Sequence, residues 1–572
     1  MHNPEHGLVS RPHDALPGET TPRRDRAATL GSIVVLSITL GFGLTLSALL
    51  WAKWRNFDPY MHDFAEAARI YEKLLRGVPY AHRMHYYLFF YMGICPAFLP
   101  FYAAIRNIAV IFSVHILSFT LTIPLLYLIA RQMLPGVLLP LALVTCYVLN
   151  PTVDLTAIGF LRLEACWMPL FLLALYLVNR GSYRAAVWSA TAASFVRLDA
   201  APAILLLGIF LALQKKRVVG ISVIKGSLVA IATMAMGAAL FRLASGIPLD
   251  FEQLHIDKAM IPERGLSLTT LLSGAARTLL EPASYIHFRI ILQFLLLPLL
   301  APLYLVPALF SALYIIFSTR SFLSNPIVLS LLAPHSFLVP FLHTHDSYLV
   351  PILFVAMIAA MRKICSWTRS LFVLSEHQYG FFKAAFATIL MAYSGFVHWT
   401  STPPALGPVP LTPAFNLAYY RSTPHARLAW ETLASLPQNR PGLLQGSFAD
   451  RAYKLVHIQK LYKPIPFPHE AEYALFDLFA FSAEMPKPDL LAMIEDFLRR
   501  GDVCVERFED GILLLRRGTP LPENQRVVKY ISDNREWLSR NRASPYQYGH
   551  IGRQEALART FSATLLPPEE LR

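Results

Sequence analysis

Residues 30 to 50 read LGSIVVLSITLGFGLTLSALL, an apolar run without a single charge. About 20 such residues are what a helix needs to cross the hydrocarbon layer of a bilayer, so this run limits the chain to folds that a membrane can accept. Arg11, Arg23, Arg24 and Arg26 precede it, and WAKWRNF follows it. A cleaved signal peptide would have a shorter apolar core and a small-residue cleavage site after it. The run is therefore expected to stay as a first transmembrane helix behind a cytoplasmic tail of residues 1–29.

Further apolar segments occur near 108–130, 136–149, 162–178, 185–196, 200–213, 218–243, 288–317, 322–341, 347–361 and 380–399. With the first, they predict about eleven spans and a mainly α, polytopic membrane helix bundle over residues 30–399. The segment 136–149 and the pair 185–213, interrupted by RLDAAP, are short and read as broken helices, which survive in a membrane only where protein or water covers the freed backbone. The aromatic stretch 86–105, with Pro96 and Pro100, reads as interfacial or re-entrant. Composition agrees: 55% of the 572 residues are hydrophobic and only 15% charged, too little polar surface for a soluble fold of this length. The formal charge of +14 then points to anionic lipid headgroups rather than to nucleic acid. The five cysteines form no CxxC motif or disulfide ladder.

With the N-terminus cytoplasmic and 86–105 not crossing, Arg131, the NRGSYR turn, QKKR at 214–217, Arg320 and the RKICSWTR loop all fall on the cytoplasmic side. Residues 52–107 and 244–287 become external loops. The first of these carries Arg55, Arg69, Lys73, Arg76 and Arg83 against the positive-inside trend, mixed with acids. Asp58, Asp63, Asp154, Glu164, Arg197, Asp199, His343, His345 and Asp346 all fall at external helix ends. Ionisable groups beside hydrocarbon are costly unless paired or wet, so their gathering on one face marks a candidate site.

Two readings stand for each motif. In NFDPYMHDF, Asp58 and Asp63 are either catalytic carboxylates or solvated loop acids, with Asp63 capping the helix that follows. In FVRLDAAP, Arg197 and Asp199 either bridge a broken helix internally or offer a guanidinium fork to a phosphate. In FLHTHDSYLVP, His343 and His345 stand two apart, which on a helix points them to different faces, so the segment suits hydrogen bonds to a polar ligand better than an i, i+4 metal pair.

Beyond residue 400 the prolines of STPPALGPVPLTP mark a linker. Short apolar runs then alternate with helical stretches, predicting a small α/β domain over 400–517 that sits outside the cell membrane after an odd number of crossings. Asp510 and Gly511 signal a hairpin. Residues 518–572 read as a polar tail.

The order of these segments resembles a predicted bacterial membrane-protein family catalogued as domain of unknown function 2079, itself similar to the GT-C membrane glycosyltransferases. FDPYMHDF resembles the family's early acidic motif, FVRLDAAP its Arg-Glu-Asp segment with Leu198 in place of the acid, HDSYLVPILFVAMIAA its late helix, and YALFDL with DGILLLRRG its closing soluble domain. The likeness runs from about residue 30 to 517. One departure is GFLRLEACWMP, which keeps Glu164 and Pro169 but shows Arg162 near an expected histidine.

The resemblance implies a multi-pass protein of the bacterial inner membrane that moves a sugar from a polyprenyl-phosphate donor to an extracytoplasmic acceptor. It implies Asp58 as general base and Asp63 as the residue that orients the acceptor or helps hold a divalent ion. Arg197 would stabilise the departing phosphate, with Asp199, Glu164, His343, His345 and Asp346 lining the substrate site. A divalent cation is the one cofactor candidate. A transporter, or a scaffold that presents the external domain without catalysis, are the alternative classes.

Overall fold

The computed structural model describes residues 22–58, 61–77, 95–159, 163–196, 200–245, 291–309, 346–401, 409–413, 415–455, 457–461, 464–480 and 485–540. It is mainly helical, with one small sheet near the C-terminus.

The first helix, α1 (Pro22–Arg55), is long enough at 1.5 Å per residue to cross a bilayer with turns to spare. Leu30, Ile33, Leu36, Leu40 and Leu44 stay exposed along it, which only lipid would tolerate. Next come α2 (His62–Leu75), α3 (Cys95–Ile105) and α4 (Ala109–Met133). A broken span follows: α5 (Leu138–Val148), then Pro151–Ile158 at a 46° bend. The helices α6 (Trp167–Asn179), α7 (Tyr183–Ser194), α8 (Ala200–Leu213) and α9 (Arg217–Ser245) form a row, and α10 (Asp346–Phe372) and α11 (Glu376–Ser401) complete the membrane part.

Among the described residues, five helices are long and apolar enough to span a membrane, within α1, α4, α9, α10 and α11, and a sixth if the bent pair is one span. This matches the expected bundle in kind; the expected segment at 322–341 lies outside the described residues. The segment near 288–317 departs from expectation. Its described part, 291–309, holds two short 3-10 helices, Leu297–Leu300 and Pro302–Ala308, instead of a long α-helix. Pro298, Pro302 and Pro307 each lack an N–H donor, and so many prolines break an α-helical ladder.

The bend in the broken span is written in Asn150-Pro151. Asn150 caps the new turn by accepting from the backbone N–H of Thr152 at 3.0 Å and of Val153 at 3.2 Å, and Pro151 takes the first helical position, where no donor is needed. The turn Pro151–Asp154 runs into π-helical Leu155–Gly159. Side chains from neighbouring helices take up carbonyls of this π turn: His115 Nε2 lies 3.0 Å from the Ala157 oxygen, and Lys53 Nζ donates to Ile158 at 3.0 Å. At the other end of the bundle, α8 and α9 touch backbone to backbone. A Cβ on Gly220 would lie 2.5 Å from the Gly208 carbonyl, so only small residues permit this hairpin.

The C-terminal domain comprises α12 (Pro424–Ala434), β1 (Gly442–Leu444), α13 (Gly446–Arg451), β2 (Ile458–Lys460), β3 (Tyr473–Asp477), α14 (Lys487–Arg500), β4 (Val503–Glu509) and β5 (Ile512–Arg517). The strand order is β2-β1-β3-β5-β4, with β1 parallel to β2 and β3, and β5 antiparallel to β3 and β4. Helices cover both faces, which explains why YALF and ILLL are apolar throughout: Tyr473, Leu475, Ile512 and Leu514 pack beneath α12 and α13, while Ala474, Phe476, Leu513 and Leu515 pack beneath α14. The β4–β5 hairpin turns at Asp510 (φ 45°) and Gly511 (φ 74°), as the sequence predicted.

The fold continues past residue 517. Helices α15 (Pro522–Asp533) and α16 (Arg535–Arg540) bury Val527, Ile531 and Leu538 against the α14 face. Asn524 pins α15 to strand β4, donating to the Val503 carbonyl and accepting from the Val505 N–H. This covers a sheet edge that would otherwise be open to pairing.

Candidate functional site

Asp58 closes the C-terminal end of α1, and the structure buries it. Its Oδ2 lies 3.3 Å from Lys53 Nζ, with both side chains at 1% exposure or less. Tyr419 Oη donates to the same oxygen at 3.3 Å. The Asp58 carbonyl accepts from Arg451 Nη2 at 2.8 Å, and the Arg451 guanidinium lies over the Trp54 ring. Asn56 donates to the Tyr419 and Arg421 carbonyls, and Trp430 Nε1 to Arg55. The end of the first membrane helix is thus bonded into the C-terminal domain.

A second set of bonds reinforces this joint from α2. Arg69 donates to the Ala449 carbonyl at 2.7 Å and lies 3.5 Å from Asp450, which is paired in turn with Lys460 at 2.9 Å. Glu72, almost fully buried, accepts from Tyr102 Oη and pairs with Arg76. These charges leave water only because each has a partner at short range.

One turn below Lys53, α1 lines a cavity of ≈ 350 Å³ through Phe42, Thr45 and Leu49. Asp154 and His398 stand in the opposite wall, their Oδ2 and Nδ1 2.9 Å apart and both largely buried. His398 Nε2 lies 2.9 Å from the Pro410 carbonyl and so donates to it. Nδ1 is thereby left facing the Asp154 carboxyl at ion-pair distance, without hydrogen-bond alignment between the two atoms. Such a dyad can take up or release a proton beside the cavity without exposing a bare charge to hydrocarbon.

The structure brings Asp58 and Asp154 to the same end of the bundle through Lys53, which spans from Asp58 to the π turn that follows Asp154. Asp63 lies in the first turn of α2, which starts at His62 with Met61 in the cap position. Glu164 falls in the 3-10 turn Leu163–Cys166, and Asp346 opens α10. The side chains of Asp63, Glu164 and Asp346 lie outside the described residues, as do Arg197, Asp199, His343 and His345 altogether. Among the described residues, no three His, Cys, Asp or Glu side chains converge on a point where a metal ion could sit.

Sequence reasoning missed His398, Lys53 and Arg451. His398 had a visible signal, an ionisable residue deep in the apolar segment 380–399, which otherwise carries only Lys383 near its start among charged types. Arg451 had none, because its role depends on a contact 393 positions away.

A second polar centre lies within the C-terminal domain. His425, at the start of α12, is held between Asp510 at Nδ1 (2.9 Å) and Asp477 at Nε2 (3.0 Å). Both nitrogens face carboxylates, so the ring is doubly protonated. Burial alone would lower its pKa, but the two carboxylates outweigh that and push it up to about 9. Nearby Lys487, which donates to the Ala480 carbonyl, is lowered by burial to about 8 despite Asp477.

No family model matches the chain, and no curated protein does. Two solved structures of the Archaeoglobus fulgidus oligosaccharyltransferase are similar in shape. The apo form has 11% identity, a TM-score of 0.34, and covers 80% of this chain and 71% of that one. The form tethered to an acceptor peptide with an NVT sequon has 12% identity and the same TM-score, covering 80% and 70%. Likeness at that distance carries no weight for the chemistry of this chain.

Proposed function

We propose that the chain is a membrane-embedded glycosyltransferase that takes a sugar from a polyprenyl-phosphate donor and passes it to an acceptor on the side of the C-terminal domain. The supporting observation is the cavity along α1, apolar enough for an isoprenoid chain, with the Asp154–His398 dyad in its wall and the Lys53–Asp58 pair one turn above. In this reading an acceptor O–H gives its proton to a carboxylate while the new glycosidic C–O bond forms. The anomeric C–O bond to phosphate breaks, and the lipid phosphate leaves with the electron pair. Asp58 and Asp154 are the two candidate bases, and Arg197 is the group assigned to the departing phosphate. The family resemblance of the sequence supports the same assignment of Asp58, with Asp63, Asp199, Glu164, His343, His345 and Asp346 around the substrate.

A scaffold without catalysis is the second reading, and the buried joint favours it. Lys53, Asp58 and Arg451 couple the domain to the membrane as a fixed support would require. The deciding experiment measures transfer of radiolabelled sugar from a panel of polyprenyl-phosphate donors in membranes holding wild type, Asp58→Asn or Asp154→Asn at matched expression. Transfer by wild type, falling by about 100-fold or more in one variant, would identify the base, since general base catalysis contributes about 10²–10⁴-fold. Absence of transfer with every donor would leave the scaffold.

A further inference from the structure

Far from the Asp58 end, the bundle gathers cations that no carboxylate among the described residues neutralises. The helix ends bearing Met133, Asn179, Lys216 and, from the middle of α10, Arg362 surround a cavity of ≈ 310 Å³. Among the described residues, its charged lining is Lys216 and Arg362, joined by the amides of Gln132, Asn179 and Gln214, and no Asp or Glu lines it. Lys216 also lines a neighbouring hollow of ≈ 640 Å³ with Arg184, Lys215 and Arg217, again without a carboxylate among the described residues. Among the described residues no carboxylate pairs with any of these five cations. Local backbone geometry holds the cations in place. The α8–α9 hairpin turns at Lys215 (φ 64°), and the Gly208–Gly220 contact fixes the two helices that carry it. Lys216 is half-buried, and burial lowers its pKa, so its charge is kept at a cost that an anion would offset.

We propose that these two hollows form a binding site for an anionic phospholipid, its phosphate in the cavity lined by Lys216 and Arg362. A lipid fits better than a free anion because the second hollow is flanked by Trp188 (76% exposed) and Val218 (81% exposed), with Tyr183 beside them. Aromatic and apolar groups of this kind sit at the boundary between headgroups and acyl chains, and basic pockets between membrane helices hold phosphate-bearing headgroups. The site is independent of glycosyl transfer and stands at the opposite end of α4 from His115.

The test is native mass spectrometry of the full chain, equilibrated in detergent with equal amounts of phosphatidylglycerol and phosphatidylcholine. The wild type is expected to retain phosphatidylglycerol selectively. Lys216→Gln and Arg362→Gln should each reduce that retention several-fold and together about tenfold or more, since each basic residue near an anionic headgroup contributes on the order of 1 kcal/mol. Lys225→Gln, an exposed lysine on α9 outside both hollows, should leave it unchanged. Using the two single variants separately guards against one that fails to fold, checked by its elution volume. Equal retention of both lipids by wild type, or retention unaffected by both single variants, would overturn the proposal. Full displacement of the lipid by millimolar inorganic phosphate would replace it with a free-anion site.

Discussion

The two ends of the helix bundle use charge in opposite ways. Where α1 meets the C-terminal domain, the buried cations Lys53, Arg69 and Arg451 each have a carboxylate or carbonyl in contact, and most are almost fully hidden from solvent. At the other end Lys216, Arg362 and Arg184 line open hollows with no acid in their walls among the described residues. Buried pairs are costly to break but contribute little net stability, because desolvation offsets their attraction. Unpaired cations at a membrane face are costly only until an anion arrives. The first arrangement holds two parts of one chain together, and the second leaves valence for a ligand.

The largest effect is expected from breaking a pair at the joint. Asp58→Ala takes the carboxylate away from Lys53, which is buried at 0% exposure, and should cost about 3–5 kcal/mol in thermal unfolding of the detergent-solubilised chain. Replacing both partners, Lys53→Met with Asp58→Leu, should restore most of that loss. If Asp58→Ala is as stable as wild type, the joint is held by its aromatic contacts, such as Trp430 on Phe57, and the charges there are free for chemistry.

Next in size is a pH effect inside the C-terminal domain. The folded state raises the His425 pKa from its ordinary 6.5 to about 9, so the imidazolium between Asp477 and Asp510 adds stability that is fully present below pH 6.5. That stability falls as pH rises through 9, by about 3 kcal/mol at most. Lys487 works in the other direction. Its pKa falls to about 8, so stability is regained between pH 8 and the unfolded value of 10.5. Melting curves from pH 6 to 8, below the range where Lys487 titrates, should therefore show a declining Tm in wild type and a flat one in His425→Gln. An equal slope in both would place the titration elsewhere.

Much of this was legible in the sequence because hydropathy is a local property. The spans within α1, α4, α9, α10 and α11 each announce themselves by length and composition. The break at Asn150-Pro151 shows as a segment too short to cross. The failures at Asp58 and at residues 522–540 share a cause: they depend on partners distant in the chain. Asp58 looks like an exposed loop acid until Tyr419, 361 positions on, and Arg451 close over it. The 291–309 segment looks like a span by hydropathy alone, although its prolines were visible. Residues 522–540 look like a polar tail because their buried apolar residues are only Val527, Ile531 and Leu538, too few for a strong pattern, and buried Asn524 anchors them through backbone groups of β4.

The smallest predicted effect tests whether the paired end is set by charge or by the backbone beneath it. Asn150 carries no charge, yet its side chain begins the turn that brings Asp154 to His398 one helical turn later. Asn150→Ala removes a cap of two N–H bonds at a site 4% exposed and should cost about 1 kcal/mol, while Asn150→Asp keeps the accepting oxygen and should cost less. The two variants need only be compared by their melting temperatures. A destabilised Ala variant would mean that the position of the dyad is encoded by an ordinary helix cap. An unaffected one would mean that Pro151 and the hydrogen bond from Thr152 to Gln293 suffice to hold the bend, leaving the Asp154–His398 contact to packing from α11.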